Sequence, residues 1–365
     1  TIGSGEPPGD EFWTFMPTEF WGEIKRNLDN DVVVKFPASG ANAGVAGEQK
    51  PYGADGPITA FDDGTTKYLY LGLRRGGRSI YALDVSNINS PSLKWRLGCP
   101  NLDDDVGCVD SDWSRIGQTW SPMNIARVQG QSTHYLLMGG GYDTCEDLDD
   151  PDVPANHDCA SGTKGNLIYV LDGITGEIVS TFDTERAVPG AVTIVPLTDN
   201  SPYITFAYAA DTGGNIYRIS GVDANTPIGT TTPDAWTITK IATLGCGPQA
   251  DDTCDANRKF LFGPDIVRIP NVAQYAVLVG SGDREKPLED YGAATQVSNY
   301  FFSIIDSPLD SNWLDDPTPA VCRDDLICVN ALTTIDMDGP VNEGDVIGEK
   351  GWKLQLRNNE QVISG

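Results

Sequence analysis

A strand–turn–strand pattern that occurs four times constrains the fold more than any other feature of the sequence. Its first copy, Lys67–Asp84, has an apolar and aromatic run, a Gly-Gly pair, and a second run that ends in an acidic residue. Glycine turns at positive φ without steric cost, so this copy predicts a β-hairpin. The other copies end at Asp172, Ile219 and Asp306. Because one hairpin cannot bury its own sheet, such repeats are expected to stack on one another.

The spacing of one aromatic residue per copy predicts the architecture. These residues are Tyr81, Tyr169, Tyr217 and Phe302. The middle interval is 48 residues (217 − 169), close to a four-stranded propeller blade of roughly 40–50 residues. The outer intervals, 88 (169 − 81) and 85 (302 − 217), contain acidic, cysteine-bearing inserts. The sequence therefore predicts an all-β, modified β-propeller, with a β-sandwich as the alternative. We expect these aromatics to pack between sheets rather than to line a channel.

The predicted propeller forms one domain over residues 1–365. Its clearest blades are predicted at 55–98, 120–183, 189–241 and 262–314, and their fourth strands are predicted to end at Trp95, Phe182, Trp236 and Trp313. Residues 351–365 are predicted to begin a further, partial blade. A closed ring is therefore expected to need sequence beyond Gly365 or strands supplied from the N-terminal side.

A helical segment is predicted ahead of the blades, at residues 11–28. Pro17 suits the first turn of a helix. The residues Phe20, Trp21, Ile24 and Leu28 fall on one apolar stripe. We expect this amphipathic helix to pack on the propeller.

The charge of the chain excludes one class of partner. The sequence has 25 basic and 52 acidic residues, for a net charge of -27. Such a surface repels phosphate backbones, so no nucleic-acid partner is expected. The sequence also has no apolar run of 18 residues, and no membrane span is predicted.

The eight cysteines fall into four local couples, each within an acidic insert. The couples are Cys99 with Cys108, Cys145 with Cys159, Cys246 with Cys254, and Cys322 with Cys328. None has the C-x-x-C spacing typical of zinc or redox sites. The pattern favours four local disulfides formed in an oxidising compartment over a zinc site at Cys145, His157 and Cys159.

Acidic residues crowd the insert between Cys145 and Cys159. The candidate metal ligands there are Asp143, Asp147, Asp149 and Asp152. Carboxylates this close repel one another unless a cation or water separates them, and calcium prefers oxygen ligands. A second acidic group comprises Asp336, Asp338, Glu343 and Asp345. Neither group has the full EF-hand pattern, so a hydrated acidic loop is the alternative to calcium binding.

Basic residues cluster at one point, Arg74, Arg75 and Arg78. They predict either a surface for a partner or a solvated turn that balances nearby acids. Motifs for nucleotide binding and for the serine nucleophile elbow are absent from the sequence.

Several stretches together resemble one family. They include "EFWTFMPTEFWGEIKRNL", "LYLGLRRGGRSIYALDVSNINSPSLKWRL", "GNLIYVLDGITGEIVSTF" and "AYAADTGGNIYRIS". In this order they resemble the C-terminal domain of the PilC/PilY proteins, which are type IV pilus biogenesis factors and tip-associated adhesins. The resemblance implies a propeller of roughly seven blades, of which this chain carries an incomplete set.

The resemblance also implies a location and partners. Members of this family are exported through the periplasm and presented at the cell surface, on the pilus tip. The implied partners are minor pilins or other tip subunits, together with host or abiotic surfaces. A family calcium loop would correspond to residues 196–203, where only Asp199 and Asn200 offer side-chain oxygens from acidic or amide groups. That loop is a poor match to what calcium requires.

We therefore predict a non-enzymatic surface protein that supports pilus assembly and adhesion. The alternative is a quinone-dependent propeller dehydrogenase, whose blades "GRSIYALD" also resembles. Such enzymes carry a vicinal cysteine pair, and no two cysteines are adjacent here. Loops held by a rigid scaffold often carry recognition residues. We expect partner contacts in the inserts at 99–112, 143–163, 246–258 and 315–330.

Overall fold

The fold is all-β, with one short α-helix near its start. The computed structural model describes residues 11–31, 33–35, 48–49, 52–102, 104–147, 164–246, 257–283, 297–315, 322, 326–335, 348–357 and 360–362. Ahead of the blades lie α1 (Glu23–Asp29) and a short parallel pair, β1 (Val34–Lys35) with β2 (Glu48–Gln49). Four sheets then follow one another along the described chain, and we number them blades 1 to 4.

Blades 1 and 2 are four-stranded antiparallel meanders. Blade 1 consists of β3 (Ile58–Asp62), β4 (Lys67–Gly72), β5 (Arg78–Asp84) and β6 (Ser92–Cys99). Blade 2 consists of β7 (Asn124–Arg127), β8 (His134–Gly139), β9 (Leu167–Asp172) and β10 (Ile178–Asp183). The predicted hairpins are confirmed in both, since β4 pairs with β5 and β8 with β9.

Blades 3 and 4 each gain a fifth, parallel strand. Blade 3 consists of β11 (Thr193–Pro196), β12 (Ile204–Ala210), β13 (Asn215–Ser220), β14 (Thr237–Thr243) and the added β18 (Ile327–Cys328). Blade 4 consists of β15 (Asp265–Arg268), β16 (Tyr275–Gly280), β17 (Tyr300–Asp306), the added β19 (Thr333–Ile335) and β20 (Gly351–Gln355). Short 3-10 helices lie at Thr18–Phe20, Ser111–Trp113, Thr144–Asp147, Pro233–Ala235 and Val329–Ala331.

The prediction of a fourth strand ending at Trp313, and of a separate partial blade at 351–365, is wrong for the described residues. Residues 307–315 form turns, in which the Trp313 amide donates to Asp310 and its indole donates to the Ile305 carbonyl. The fourth strand of blade 4 is instead β20, which pairs with β17 along its whole length. Blade 4 thus takes its fourth strand, β20, from beyond the predicted range 262–314. Trp236 also departs from its predicted position, because it precedes β14 rather than ending it.

The predicted helix at 11–28 is shorter than expected, and of the predicted stripe only Phe20 packs on the propeller. All residues of α1 are at least partly exposed, and Leu28 is 81% exposed. Trp21, which precedes the helix, is 62% exposed. The segment is held instead by Trp13, Phe15 and Phe20, which contact the outer face of blade 1. The Glu19 side chain adds an ion pair to Arg96 at 2.9 Å. A stripe periodicity over so short a helix therefore did not identify the buried face.

The hydrophobic cores lie between neighbouring blades. One cluster joins blades 1 and 2, a second joins blades 2 and 3, and a third joins blades 3 and 4. All four repeated aromatics are buried, but only Tyr169 and Phe302 lie in these clusters, with Tyr169 stacked on Trp113 at 4.8 Å and Phe302 edge-on to Phe260. Tyr81 packs instead on Phe15 of the N-terminal segment, and the Tyr217 hydroxyl donates to Asp211. The predicted packing between sheets is thus confirmed for Tyr169 and Phe302. Burial of each aromatic contributes of order 1.5–3 kcal/mol, so the interfaces between sheets stabilise the repeat.

Candidate functional site

The loops that follow the second strands of the blades all meet at one end of the propeller, which we call the hairpin end. Each such loop hydrogen-bonds to the segment that enters the next blade. The Arg74 amide donates to Thr119, the Gly141 amide to Val188, and the Phe260 amide to Asp211. The cysteine-bearing inserts after Cys99, Tyr142 and Gly245 leave from this end. The opposite end, which we call the turn end, carries the short connections between first and second strands.

A buried ionic network joins three blades at the hairpin end. Its centre is Glu146, in the 3-10 helix that opens the insert of blade 2. Glu146 Oε1 accepts hydrogen bonds from Arg186 at 3.0 Å and from the Thr212 hydroxyl at 2.9 Å. Its Oε2 lies 2.9 Å from Lys259 Nζ. Glu146 therefore fixes the start of its insert to residues leading into blades 3 and 4.

The network continues from Lys259 to blade 4. Lys259 Nζ lies 3.2 Å from the carboxylate of Asp283, which is the third residue after β16. The side chains of Glu146, Lys259 and Asp283 are 0, 1 and 3% exposed. Burying charges costs free energy unless each is matched, and here two carboxylates face one ammonium and one guanidinium. We name Glu146, Arg186, Thr212, Lys259 and Asp283 the Glu146 network.

Asp211 organises the corresponding loop of blade 3. Its carboxylate accepts hydrogen bonds from the amides of Arg186, Gly213 and Asn215. The Tyr217 hydroxyl donates to it as well, at 2.9 Å. Full burial raises the pKa of Asp211 because the charged form loses its hydration, although these donors oppose the shift. The carboxylate thus shapes the loop that presents Thr212 to Glu146.

Asp143, a predicted calcium ligand, connects the two sides of the blade 2 insert. Its Oδ1 accepts from the Cys145 amide at 3.1 Å and its Oδ2 from the Lys164 amide at 3.2 Å. Burial raises its pKa, because desolvation disfavours the charged form. Asp147 belongs to the 3-10 helix, whereas Asp149 and Asp152 lie outside the described residues. Calcium binding by these four residues stays a prediction, as it does for Asp336, Asp338, Glu343 and Asp345, which also lie outside.

Arg78 is neither a partner-facing group nor part of a solvated turn, because it is 3% exposed. Its guanidinium donates to the carbonyls of Ile116 and Asp104, both at 2.7 Å, and to Asp105 Oδ1 at 2.7 Å. Lys164 binds the same carboxylate at 2.8 Å, and the hydrogen bonds from Lys164 and Arg78 lower the pKa of Asp105. Arg78 therefore holds the whole first insert against blade 1.

Arg74 and Arg75 lie over an aromatic pair instead. Their guanidinium carbons are 4.8 and 4.9 Å from the centre of the Trp120 ring, which stacks on Tyr142 at 4.5 Å. Cation–π attraction of this kind favours a fixed cation next to the ring. Arg74 has a φ of 49°, which non-glycine residues rarely adopt, and its backbone bridges to Thr119.

Two of the predicted cysteine couples are disulfides in the described chain, Cys99–Cys108 and Cys322–Cys328. Cys145 and Cys246 are also disulfide-bonded, and their predicted partners Cys159 and Cys254 lie outside the described residues. Within the described ranges, the ligating atoms of Cys99, Asp105 and Cys108 come close together. Both sulfurs are used in the disulfide, so this group is not suited to a metal ion.

The sequence reasoning missed the most heavily connected residues of the hairpin end. Glu146 was one of many acids in its insert, and Lys259 lies 113 positions further on (259 − 146). The useful signal was positional, since Glu146, Asp211 and Asp283 all follow the second strand of a blade. Aligning the repeats there predicts that the three carboxylates share one end of the propeller.

The fold and the hairpin end define a disulfide-bonded β-propeller in which the inserts after Cys99, Tyr142 and Gly245 emerge from one end. Residues 7–313 match the family model of the PilY1 beta-propeller domain, so the chain belongs to this family. Within the described ranges, no helix has the length and hydrophobicity needed to cross a bilayer.

Relatives and a solved structure agree with the family. The type IV pilus biogenesis factor PilY1 of Pseudomonas aeruginosa strain UCBPP-PA14 is 28% identical over 256 residues, covering 66% of this chain and 19% of the relative. The PilY1 of strain PAO1 is 24% identical over 289 residues, covering 75% and 21%. The crystal structure of the Pseudomonas aeruginosa PilY1 C-terminal domain matches with a TM-score of 0.58 and 18% identity, over 98% of this chain and 69% of that one. The chain thus spans about a fifth of the length of these curated relatives.

Proposed function

We propose that this chain is the propeller module of a type IV pilus biogenesis factor that acts at the cell surface. In this proposal it is exported through the periplasm, supports pilus assembly, and contributes to adhesion from the pilus tip. The observation that carries the proposal is membership of the PilY1 propeller family over residues 7–313. Disulfides among the described residues support an oxidising location.

We propose the hairpin end as the surface that contacts partners. Its inserts leave from a scaffold fixed by Asp143, the Glu146 network and Arg78, and rigid support of loops is what recognition requires. The partners in this proposal are minor pilins or other tip subunits, and host or abiotic surfaces. In this proposal the role is non-enzymatic, and the buried carboxylates Glu146 and Asp211 support it in that cations, amides and hydroxyls engage them to fix the loops.

The ends of the four inserts belong to the scaffold, which decides how the test is designed. Ile327 and Cys328 pair with β14, and the buried Arg258 donates to the Ser298 carbonyl at 2.6 Å. Deleting a whole insert would therefore remove structural contacts. Trimming residues 148–163 to a short Gly-Ser linker, with Cys145→Ser, keeps Asp143 and Glu146.

The experiment introduces this trimmed insert into the full-length factor that carries the propeller, in a piliated bacterium. We expect the purified domain to stay folded, with its melting temperature lowered only by loss of the Cys145 disulfide and of the proposed calcium ligands, together with fewer surface pili or weaker attachment. The matched control replaces residues 198–202, a turn-end connection, with the same linker. Normal piliation and attachment with the trimmed insert would contradict the proposed role of this surface.

We also propose that calcium binds the blade 2 insert through Asp143, Asp147, Asp149 and Asp152. The donor chemistry fits, because each Asp143 oxygen accepts one amide and keeps a second lone pair, and a cation would offset the desolvation of its charge. Chelator is expected to lower the melting temperature and added calcium to restore it. An unchanged melting temperature would contradict calcium binding without bearing on the pilus role.

A further inference from the structure

A cleft of about 190 Å³ opens at the turn end between blades 1 and 2. Its lining comes from the turns between first and second strands in both blades, with Tyr203 from blade 3 at one side. Pockets for drug-sized ligands are larger, at about 300 Å³ and above, so this cleft suits a single small group. It takes no part in the Glu146 network or in the insert contacts.

One wall of the cleft holds a cation in a fixed place. Phe61 stacks on the buried His134 at 3.7 Å, and the Arg127 guanidinium lies 5.3 Å from the centre of the Phe61 ring. Arg127 ends β7, where its backbone bridges to Tyr203. Its guanidinium makes no hydrogen bond or ion pair with the residues that the structure describes. A planar guanidinium with unused donors is suited to a carboxylate.

His134 adds a second, neutral surface to this wall. The Tyr70 hydroxyl donates its proton to the Gly173 carbonyl at 2.9 Å, so it accepts from His134 Nε2–H at 2.7 Å. Burial, with Arg127 nearby, lowers the pKa of His134 to about 4. The positive charge in the cleft at neutral pH is therefore that of Arg127.

The rim of the cleft also carries an acid. Asp63 is exposed, and its Oδ1 accepts from the amides of Thr65 and Thr66 at 2.9 and 2.7 Å. These hydrogen bonds lower its pKa, so it is ionised at neutral pH. Asp63 disfavours a ligand with several negative charges and accepts a hydrogen bond from a hydroxyl. The cleft thus combines a carboxylate-binding cation, a hydroxyl-binding anion and aromatic walls.

We propose that this cleft binds the acidic sugar residue of a glycan, with its carboxylate on Arg127 and a ring hydroxyl on Asp63. A hexuronic acid has one negative charge, several hydroxyls and a size that suits the cleft. An acidic peptide fits less well, because its further carboxylates meet Asp63 and a chain of net charge -27. The proposal rests on the adhesive part of the proposed function for its biological meaning. It does not depend on the assembly role.

The test measures binding of glucuronic acid to the purified 365-residue chain by saturation-transfer NMR and calorimetry. Glucose, acetate and a tri-aspartate peptide are the comparison ligands. We expect glucuronic acid to bind at least about tenfold more tightly than each of the three, because only it engages both Arg127 and Asp63. Equal or tighter binding of the peptide or of acetate, or no binding of glucuronic acid, would overturn the proposal.

Arg127→Gln removes the charge, and Arg268→Gln is its matched control. Arg268 ends the first strand of blade 4 as Arg127 ends that of blade 2, and it too lies over an aromatic ring, 5.6 Å from Tyr275. We expect about tenfold or greater loss of affinity with Arg127→Gln and none with Arg268→Gln. Equal affinity in the two variants would contradict the site.

Asp63→Asn provides a second readout should Arg127→Gln destabilise the fold. Asparagine keeps an oxygen for the Thr65 and Thr66 amides but removes the charge. We expect the preference for glucuronic acid over acetate to fall, because the amide NH2 that replaces Oδ2 cannot accept a hydrogen bond from the ring hydroxyl, whereas repulsion of the carboxylate is relieved for both ligands. An unchanged preference would count against the proposed arrangement. Both variants are measured on purified protein, so their failure is separable from failure of the pilus assays.

Discussion

Glu146 and Lys259 form an ion pair between two blades, with 2.9 Å between Oε2 and Nζ and side-chain exposures of 0 and 1%. The pair joins the start of the blade 2 insert to the segment that enters blade 4. An ion pair so deeply buried contributes little net stability beyond an apolar replacement, but loss of one partner leaves a buried charge. Its position makes the geometry of the hairpin end depend on three blades at once.

Glu146→Gln is expected to lower the free energy of unfolding by about 3–5 kcal/mol, because Lys259 and Arg186 lose the carboxylate that balances them. Urea denaturation followed by tryptophan fluorescence measures this. Asp183→Asn is the control, since its pair with Arg115 has the carboxylate 81% exposed and should change stability by less than about 1 kcal/mol. Equal effects of the two substitutions would show that the network is not stabilising.

Arg78→Lys is expected to destabilise the protein by about 2–3 kcal/mol. Lysine cannot reproduce the contacts of the guanidinium with the Ile116 and Asp104 carbonyls and the Asp105 carboxylate, which would lose buried donors. Thermal denaturation is the measurement. Arg74→Lys, at an exposed position four residues earlier, should cost less than about 1 kcal/mol. A similar melting temperature for both variants would contradict the anchoring role of Arg78.

The Cys99–Cys108 disulfide should stabilise the protein by about 2–3 kcal/mol, chiefly by restricting the unfolded chain. We expect that loss in a Cys99→Ala, Cys108→Ala double variant, measured by urea denaturation. The Cys322–Cys328 pair closes a shorter loop, 6 residues against 9, and its double variant should lose slightly less. A fully stable Cys99→Ala, Cys108→Ala variant would mean that Arg78 alone holds the insert.

His134 predicts an acid-dependent loss of stability. Burial, then the charge of Arg127, lowers its pKa from 6.5 to about 4. Between these two values the unfolded chain binds a proton that the folded chain does not, so stability falls as the pH drops from 6.5 to 4. NMR titration should place the His134 midpoint near 4.

The control for this titration is the other histidine of the sequence, His157. Urea midpoints measured from pH 7 to pH 4 should show a shallower decline for His134→Gln than for the unmodified chain. His157→Gln should leave the decline unchanged. A His134 midpoint close to 6.5 would refute the assignment of a buried neutral imidazole.

Much of the fold was predictable because its main signal is local. The hairpins β4–β5 and β12–β13 are contiguous in sequence, and β8 and β9 are consecutive strands on the two sides of an insert, so their apolar runs are visible in each copy. The fourth strand of blade 4 was mispredicted because Trp313 resembles the tryptophans of earlier blades. Only pairing with β17, which no local pattern encodes, assigns that place to Gly351–Gln355.

The site was less predictable, because its contacts join distant parts of the chain. Arg78 sits in a sequence of three arginines, and nothing local distinguishes the buried one from exposed Arg74. The apolar stripe through Trp21 and Leu28 predicted the wrong contact face, while Phe15 packs on Tyr81 at 5.3 Å. Arg127 and Asp63 come from different blades, so their shared cleft requires the stacking of sheets.

Because the strands of blade 4 come from two separated segments of the chain, blade 4 is expected to fold after blades 1 and 2. Its strand β17 ends at Asp306, and its partner β20 begins at Gly351. Blades 1 and 2 are complete once their own consecutive segments have emerged, whereas blade 4 must wait for a long loop to close. Until then β17 presents an unpaired edge that other chains can join. The interval between the emergence of these two strands is therefore when the chain is most exposed to misassembly.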